Sequence, residues 1–318
     1  MHSQELNILC ATDDAYVPYL GVMLTSLFLS NSGRKIHVFL LTDGLREENA
    51  RQIQSLSERD KVITIITVDK ERFSHCPVRP GDHISLATYY RLMVAELLPS
   101  EIEKILYLDC DIIVCNDLGS LWEMDLAESP LAACLDEAYH IQSSRLNLPS
   151  NALYINAGVL LLNLSLWRKR NLSPLCLEYI SKNSEILRFH DQDTLNCLFS
   201  QQVVPLHPRF NLQTGFLLKP FFDKVYPKDL RKQIWEAIAS PVILHFTGAS
   251  KPWFSLPSSH PFGDFFWKYQ RLSHFSNVYP KRISLKGYFG HLFNHMLYGF
   301  RLCRQPESYI ITHRDAEG

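Results

Sequence analysis

The sequence is short of several things, and each shortage excludes something. Glycine is sparse, 13 in 318 residues, and never falls as Gly-x-Gly-x-x-Gly or in a Walker-type phosphate loop. Neither a dinucleotide fold nor a P-loop enzyme is indicated, so phosphate charge would have to be met by metal and cationic side chains. An excess of one charge is lacking too. The formal net charge is −1 and the pI near 6.9, which gives no global field for a nucleic acid. No uninterrupted apolar stretch approaches the ~20 residues needed to span a bilayer. The start, Met1-His2-Ser3-Gln4-Glu5, has no basic region and no secretory apolar segment. The eight cysteines include no Cys-x-x-Cys pair, and Cys10, Cys110, Cys115 and Cys134 sit in strand-like apolar runs. That is the pattern of reduced, mostly buried thiols, not of a disulfide framework or zinc site. Together these absences predict a cytoplasmic protein. What is abundant is apolar: 46% of the chain is hydrophobic, enough for one sizeable α/β domain plus an appendage.

The first 165 residues alternate strand-like and helix-like segments. Strands are expected at Leu6–Ala11, Ile36–Leu41, Val62–Val68 and Ile105–Leu108, with helices at Tyr19–Leu29, Glu47–Leu56 and Tyr89–Leu98. β-α-β-α order implies a mostly parallel sheet with helices on both faces, and ligands beyond the carboxyl ends of its strands. Polar residues gather there: Asp13-Asp14 after the first strand, Asp43-Gly44 after the second, Asp109 and Asp111 after the fourth. From about residue 205 proline and aromatic residues are denser, with a helix expected at Lys228–Ala239 and a strand at Val242–Phe246. After about Pro280, apolar residues from Leu285 to Phe300 recur at three- and four-residue steps. Between Lys268 and Gly318, eight Lys or Arg stand against three Asp or Glu. Such a basic amphipathic helix can lie in a membrane interface; packing on the domain or on a partner subunit is the alternative.

Lys104-Ile105-Leu106-Tyr107-Leu108-Asp109-Cys110-Asp111 is the most informative stretch. A short apolar run ends in two carboxylates one residue apart. Alternation along an extended chain sends Asp109 and Asp111 the same way and Cys110 the other. Two hard oxygen ligands at the mouth of a sheet suit Mg²⁺ or Mn²⁺ carrying substrate phosphates. A bare Asp-x-Asp is also compatible with a strand that simply ends in a solvated loop.

Five further segments change that balance. Ala11-Thr12-Asp13-Asp14-Ala15-Tyr16 follows the first strand, and Tyr89-Tyr90-Arg91 opens a helix before the aspartates. Asn156-Ala157-Gly158-Val159-Leu160-Leu161-Leu162-Asn163 and His190-Asp191-Gln192-Asp193 come next. His245-Phe246-Thr247-Gly248, with Lys251-Pro252-Trp253, closes the set. Their order and spacing resemble the retaining glycosyltransferases of family 8, especially bacterial lipopolysaccharide galactosyl- and glucosyltransferases, over roughly residues 5–255. The resemblance implies a GT-A fold, a UDP-glucose or UDP-galactose donor, and Mn²⁺ or Mg²⁺. It divides the chain into a catalytic domain at 1–279 (nucleotide half about 1–115, acceptor half about 116–279) and the basic tail at 280–318.

Carried over by position, the resemblance makes Asp109, Asp111 and His245 the metal ligands. Lys251 and Gly248 face the diphosphate, Ala11, Asp13 and Tyr16 the uridine end, and Arg91 the donor sugar and phosphate. Asp136, Asn156 and Ala157 lie along the transferred sugar, with Asp191 and Gln192 near its anomeric carbon and His83 towards the acceptor. Each has a plainer reading on its own: Asp13 and Asp191 as helix caps, His245 as a structural histidine, Arg91 as a salt-bridged helix residue. Ala15 stands where relatives often carry Asn, which removes one nucleotide hydrogen bond. Because Gln192 is an amide and a poor nucleophile, front-face transfer is expected, with a covalent intermediate on Asp191 as the lesser route. The implied activity is hexosyl transfer to a saccharide or glycolipid acceptor, on the inner face of the cytoplasmic membrane if the tail binds there. The alternatives are a soluble transferase acting on a protein or free sugar, and a catalytically silent nucleotide-sugar binder.

Overall fold

The structure, a computed structural model, describes residues 5–78, 85–218, 222, 224–248, 251–254, 260–275 and 278. The acceptor expectation at His83 and the amphipathic tail at 280–318 lie outside the described residues. Ten strands are present among those described: β1 (Leu6–Ala11), β2 (Ile36–Thr42), β3 (Lys61–Thr67), β4 (Lys104–Leu108), β5 (Ile112–Val114), β6 (Leu131–Leu135), β7 (Ile155–Asn163), β8 (Val203–Pro205), β9 (Leu212–Gln213) and β10 (Ile243–His245). Seven form a central sheet in the order β3-β2-β1-β4-β7-β6-β8. Its pairs are parallel except around β7, which runs against both β4 and β6. The mostly parallel α/β sheet expected from the alternation is therefore present. Strands β5, β10 and β9 make a second, small sheet.

Strand alternation divides the central sheet's side chains between two apolar layers. Ile8, Cys10, Val38, Leu40, Leu106 and Leu108 face one way, against Leu20, Met23, Leu24 and Leu27 of the helix Val17–Ser30. Leu9, Phe39, Leu41, Ile105 and Tyr107 face the other, against Tyr89, Tyr90, Trp167, Ile180 and Leu195. Covered on both faces, β1 reads as a near-continuous apolar run instead of an alternating one. A third cluster, including Ile113, Leu212, Phe216, Leu244, Phe246, Trp253 and Phe266, packs the small sheet. Each such side chain, fully buried, stabilises the fold by about 1.5–3 kcal/mol.

Two local expectations need correction. The helix expected at Tyr89–Leu98 is three pieces: Ala87–Tyr90, a 3₁₀ turn at Arg91–Met93, and Val94–Leu97. In the tightened turn the Arg91 side chain folds back, and its Nε donates to the Thr88 carbonyl that a continuous helix would use for its own ladder. The Asp109-Cys110-Asp111 segment is not strand either; it is the turn that joins β4 to β5. Elsewhere the boundaries move little, and β1 and the helix Lys228–Ala239 match the expectation residue for residue.

Candidate active site

The turn after β4 is held at three points. The Asp109 amide donates to the Gly158 carbonyl at 2.9 Å, the Cys110 thiol to the Ala11 carbonyl at 3.3 Å, and the Phe246 amide to the Asp111 carbonyl at 3.0 Å. The middle residue is thus turned inward while both carboxylates point together, as expected but through turn geometry instead of strand alternation. They meet His245 at the end of β10. Its Nε2 lies 3.2 Å from Asp111 Oδ1 and 3.9 Å from Asp109 Oδ2, and the three candidate ligand atoms all fall within 4.8 Å of one another.

His245 Nδ1 stands 2.9 Å from Asn211 Oδ1, and Asn211 Nδ2 donates to Asn156 Oδ1 at 2.9 Å. With its amide so oriented, Asn211 accepts from Nδ1–H, which aims Nε2 at the carboxylates. Gly158 makes the convergence possible. A Cβ there would fall 2.2 Å from His245 Cε1 and 2.8 Å from Asp109 Oδ2. Two carboxylates and an oriented imidazole, closing over a position only glycine can occupy, form a donor set that fits Mn²⁺ or Mg²⁺. Lys251 Nζ donates to Asp111 Oδ2 and to the Phe246 carbonyl. Burial pushes the Asp111 carboxyl up, but Lys251 and His245 more than reverse this and hold it well below the ordinary carboxylate range.

Behind the cluster lies a buried arginine. Arg91 Nη2 donates to Asp109 Oδ1 at 3.0 Å and Nη1 to the Ala157 carbonyl at 2.6 Å, and Nε pairs with Asp191 Oδ2 at 3.1 Å. The guanidinium lies 4.0 Å from the centre of the Tyr107 ring. Burial alone would lower its pKa, but Asp109 and Asp191 outweigh it and keep the charge fixed. Burial likewise raises the Asp191 carboxyl, opposed by Arg91 and by the Thr88 hydroxyl, which donates to Oδ1 at 2.6 Å. Arg91 thus reaches Asp109 on one side and Asp191 on the other.

A chain of amides extends from His245 to the helix His190–Phe199. Beyond Asn211, Asn156 Nδ2 donates to Asp136 Oδ2 at 3.2 Å, and Gln192 Nε2 donates to the same oxygen at 3.1 Å. Gln192 Oε1 accepts from the Ala157 amide at 3.0 Å. Burial raises the Asp136 carboxyl. Asp109, Asp111, His245, Lys251, Arg91, Asp136, Asn156, Ala157, Asp191 and Gln192 therefore belong to one bonded assembly.

A family model described as Glycosyl transferase family 8 matches residues 7–256. The chain belongs to glycosyltransferase family 8. It is 30% identical over 280 residues to General stress protein A of Bacillus subtilis (strain 168), covering 86% of this chain and 96% of that one. It is 27% identical to the lipopolysaccharide 1,2-glucosyltransferase of Escherichia coli (strain K12), over 79% and 73% of the two chains. The galactosyltransferase LgtC, solved in complex with donor and acceptor sugar analogs, superposes with a TM-score of 0.76 at 27% identity, over 85% of this chain and 96% of that one. The α/β architecture of this family 8 transferase is thus the GT-A fold.

The remaining expected site residues stand apart from the bonded assembly or at its edge. Asp13 Oδ1 caps the 3₁₀ turn Asp14–Tyr16 by accepting from the Tyr16 amide at 3.0 Å. Ala11 ends β1 beside Cys110. Tyr16 packs on Tyr19 with ring centres 5.0 Å apart, and its phenol is pushed up, first by burial and then by the charge of Asp111. Gly248 has φ +78°, a conformation that requires glycine. The sequence reading missed Asn211, Tyr107 and Glu137. Tyr107 donates to Asp109 Oδ1 at 2.6 Å. The Glu137 carboxylate accepts from the Gly215 amide at 2.6 Å and from the Thr247 hydroxyl at 2.8 Å. The Asp136-Glu137 doublet was a visible signal for the last; Asn211 offered none.

Proposed function

We propose that this family 8 transferase moves glucose or galactose from a UDP-sugar to a saccharide acceptor, with retention at the anomeric carbon, in the synthesis of lipopolysaccharide or a related glycan. The observation that carries the reading is the convergence of Asp109, Asp111 and His245 on one side of Arg91, with Asp191 and Gln192 on the other. The lipopolysaccharide glucosyltransferase and LgtC among the relatives point to hexosyl transfer.

Asp109, Asp111 and His245 would hold Mn²⁺ or Mg²⁺, which when bound supplies charge to a diphosphate and to its departing oxygen. Lys251 contributes a second cation on the same side, and Gly248 lets backbone approach the phosphates. Ala11, Asp13 and Tyr16, at the end of β1, take the uridine. Asp136, Asn156 and Ala157 align the sugar hydroxyls, and Arg91 sets Asp191 against the sugar.

Transfer on the front face suits these residues better than a covalent intermediate. The Asp191 carboxylate is already bonded to Thr88 and paired with Arg91, and Gln192 is an amide tied at both ends. Attack by the acceptor hydroxyl breaks the bond from the anomeric carbon to phosphate oxygen. The electron pair goes to that oxygen, which also takes the hydroxyl proton. Mass-spectrometric trapping of a sugar on Asp191 would refute this route.

The deciding experiment is UDP release with Mn²⁺ across a panel of UDP-sugars, for the wild type and Asp111→Asn. Turnover with glucose or galactose, lost in the variant, is the expected result; no release with any UDP-sugar and any saccharide would overturn the reading. The basic, amphipathic pattern in the sequence of residues 280–318 supports an acceptor at a membrane surface, and truncation after Pro280 should abolish binding to anionic liposomes while leaving donor hydrolysis intact.

A further inference from the structure

Beside the reaction centre the chain forms a second concavity of about 540 Å³, between the helix Tyr139–Arg145 and the segment that follows it to Ala152. Among the described residues its walls include Tyr139, His140, Ser143, Ser144, Asn147 and Ser150, and no Asp, Glu, Lys or Arg lines it. Among the described residues, His140 Nδ1 and Ser143 Oγ are buried and make no hydrogen bond. At i and i+3 on one helix they are neighbours on a single face. Buried polar atoms are nearly always paired, so these two orphans leave unused bonding capacity along the helix that forms the wall. The concavity falls within the range of about 300–1,000 Å³ typical of small-ligand sites.

The wall is fixed to the reaction centre at both ends. The Tyr139 amide donates to the Asp136 carbonyl at 3.0 Å, and the Ala138 amide to Asp136 Oδ1 at 2.9 Å. At the other end Arg145 Nη2 donates at 2.6 Å to Asp193, one residue beyond Gln192 and fully buried. The cavity wall therefore begins three residues after Asp136 and ends against the Asp191-Gln192 helix.

We propose that this concavity is a second saccharide subsite, holding hexose units of the acceptor beyond the one that receives the transfer. The inference rests on the reading of the chain as a transferase to saccharides. A neutral lining selects an uncharged ligand over a phosphate or a charged peptide. Hydroxyl and amide groups match sugar hydroxyls, and the Tyr139 and His140 rings, set edge-to-face at 5.6 Å, offer flat surfaces for the apolar face of a pyranose. The subsite explains why a helix outside the catalytic motifs is tied to both Asp136 and Asp193.

The test measures binding of lactose, maltotriose and lipid-free core oligosaccharide (released from lipopolysaccharide by mild acid) to the full chain by saturation-transfer NMR, alongside donor hydrolysis. Two variants are compared: His140→Ala/Ser143→Ala, and Ser150→Trp, which fills the mouth from an exposed position. The wild type should bind at least one of the oligosaccharides. Both variants should weaken that binding about tenfold, while methyl glucoside and methyl galactoside bind unchanged and UDP-sugar hydrolysis persists. If no oligosaccharide in the panel binds, or both variants bind as the wild type does, the subsite is refuted. Absence of hydrolysis in the wild type would instead overturn the transferase reading and leave the binding comparison to decide the subsite.

Discussion

Gly158→Ala adds one methyl group where two candidate ligands converge. The new Cβ would stand 2.2 Å from His245 Cε1, whereas ordinary contact begins near 3.4 Å, so the imidazole would have to retreat by about 1.2 Å. Asp109 Oδ2, at 2.8 Å from the same point, would move as well. Metal–ligand distances tolerate only about 0.2 Å, so a shift of this size removes a ligand. Mn²⁺ affinity should fall at least 10–100-fold, the loss already typical of disturbing an outer-shell partner. UDP release should fall with it, and overpacking should destabilise the fold by about 1–3 kcal/mol. Isothermal titration with Mn²⁺ and the UDP-release assay measure the first two, and denaturant unfolding the third. Gly158→Ala/His245→Ala separates the causes: removing the imidazole should recover the lost stability but not the activity. Wild-type Mn²⁺ affinity and turnover in Gly158→Ala would refute the argument that this glycine sets the site.

Three further predictions concern Arg91, His260 and the apolar core. Arg91→Lys keeps a charge but cannot span Asp109, Asp191 and the Ala157 carbonyl together, so UDP release should drop by about two orders of magnitude with the fold retained by circular dichroism. His260 is held neutral, its pKa lowered to about 3, first by burial and then by the charge of Lys251. Its ordinary value is higher, so below about pH 6.5 the unfolded chain takes up a proton that the native state refuses, and stability falls as the pH drops towards 3. Between about pH 7 and 4.5 the wild type should lose about 2–3 kcal/mol more than His260→Gln in denaturant unfolding; equal losses would show that His260 does not drive the acid slope. Leu106→Ala, fully buried in the apolar layer under the helix Val17–Ser30, should cost about 2–5 kcal/mol in the same assay without changing donor preference.

How far the molecule can be read from its sequence varies with the distance over which the information acts. Leu6–Ala11 is legible to the residue because burial on both faces leaves an apolar run bounded by polar residues. Asp109 and Asp111 are legible as a pair, although a turn and not strand alternation brings them together. The break at Arg91 is not legible, since it depends on where the guanidinium finds its acceptors, 18 and 66 residues away. His245 carries no local sign of its carboxylate partners, and only the resemblance joined them. Asn211, which orients His245, comes from a short segment between a 3₁₀ turn and β9, and no spacing rule links it to either neighbour in the amide chain. Antiparallel β7 likewise looks, with seven apolar residues among its nine, like any buried parallel strand.

The three converging side chains come from two places: the aspartates from the turn between the sheets, and His245 from β10 of the small one. A cation gripped by all three would therefore rivet the small sheet to the large. By mass action a ligand at a hundred times its dissociation constant adds about 2.7 kcal/mol to native stability. Scarcity of the ion would then reach beyond turnover: the molecule would open more often, offer its apolar layers to proteases, and be depleted as well as idle.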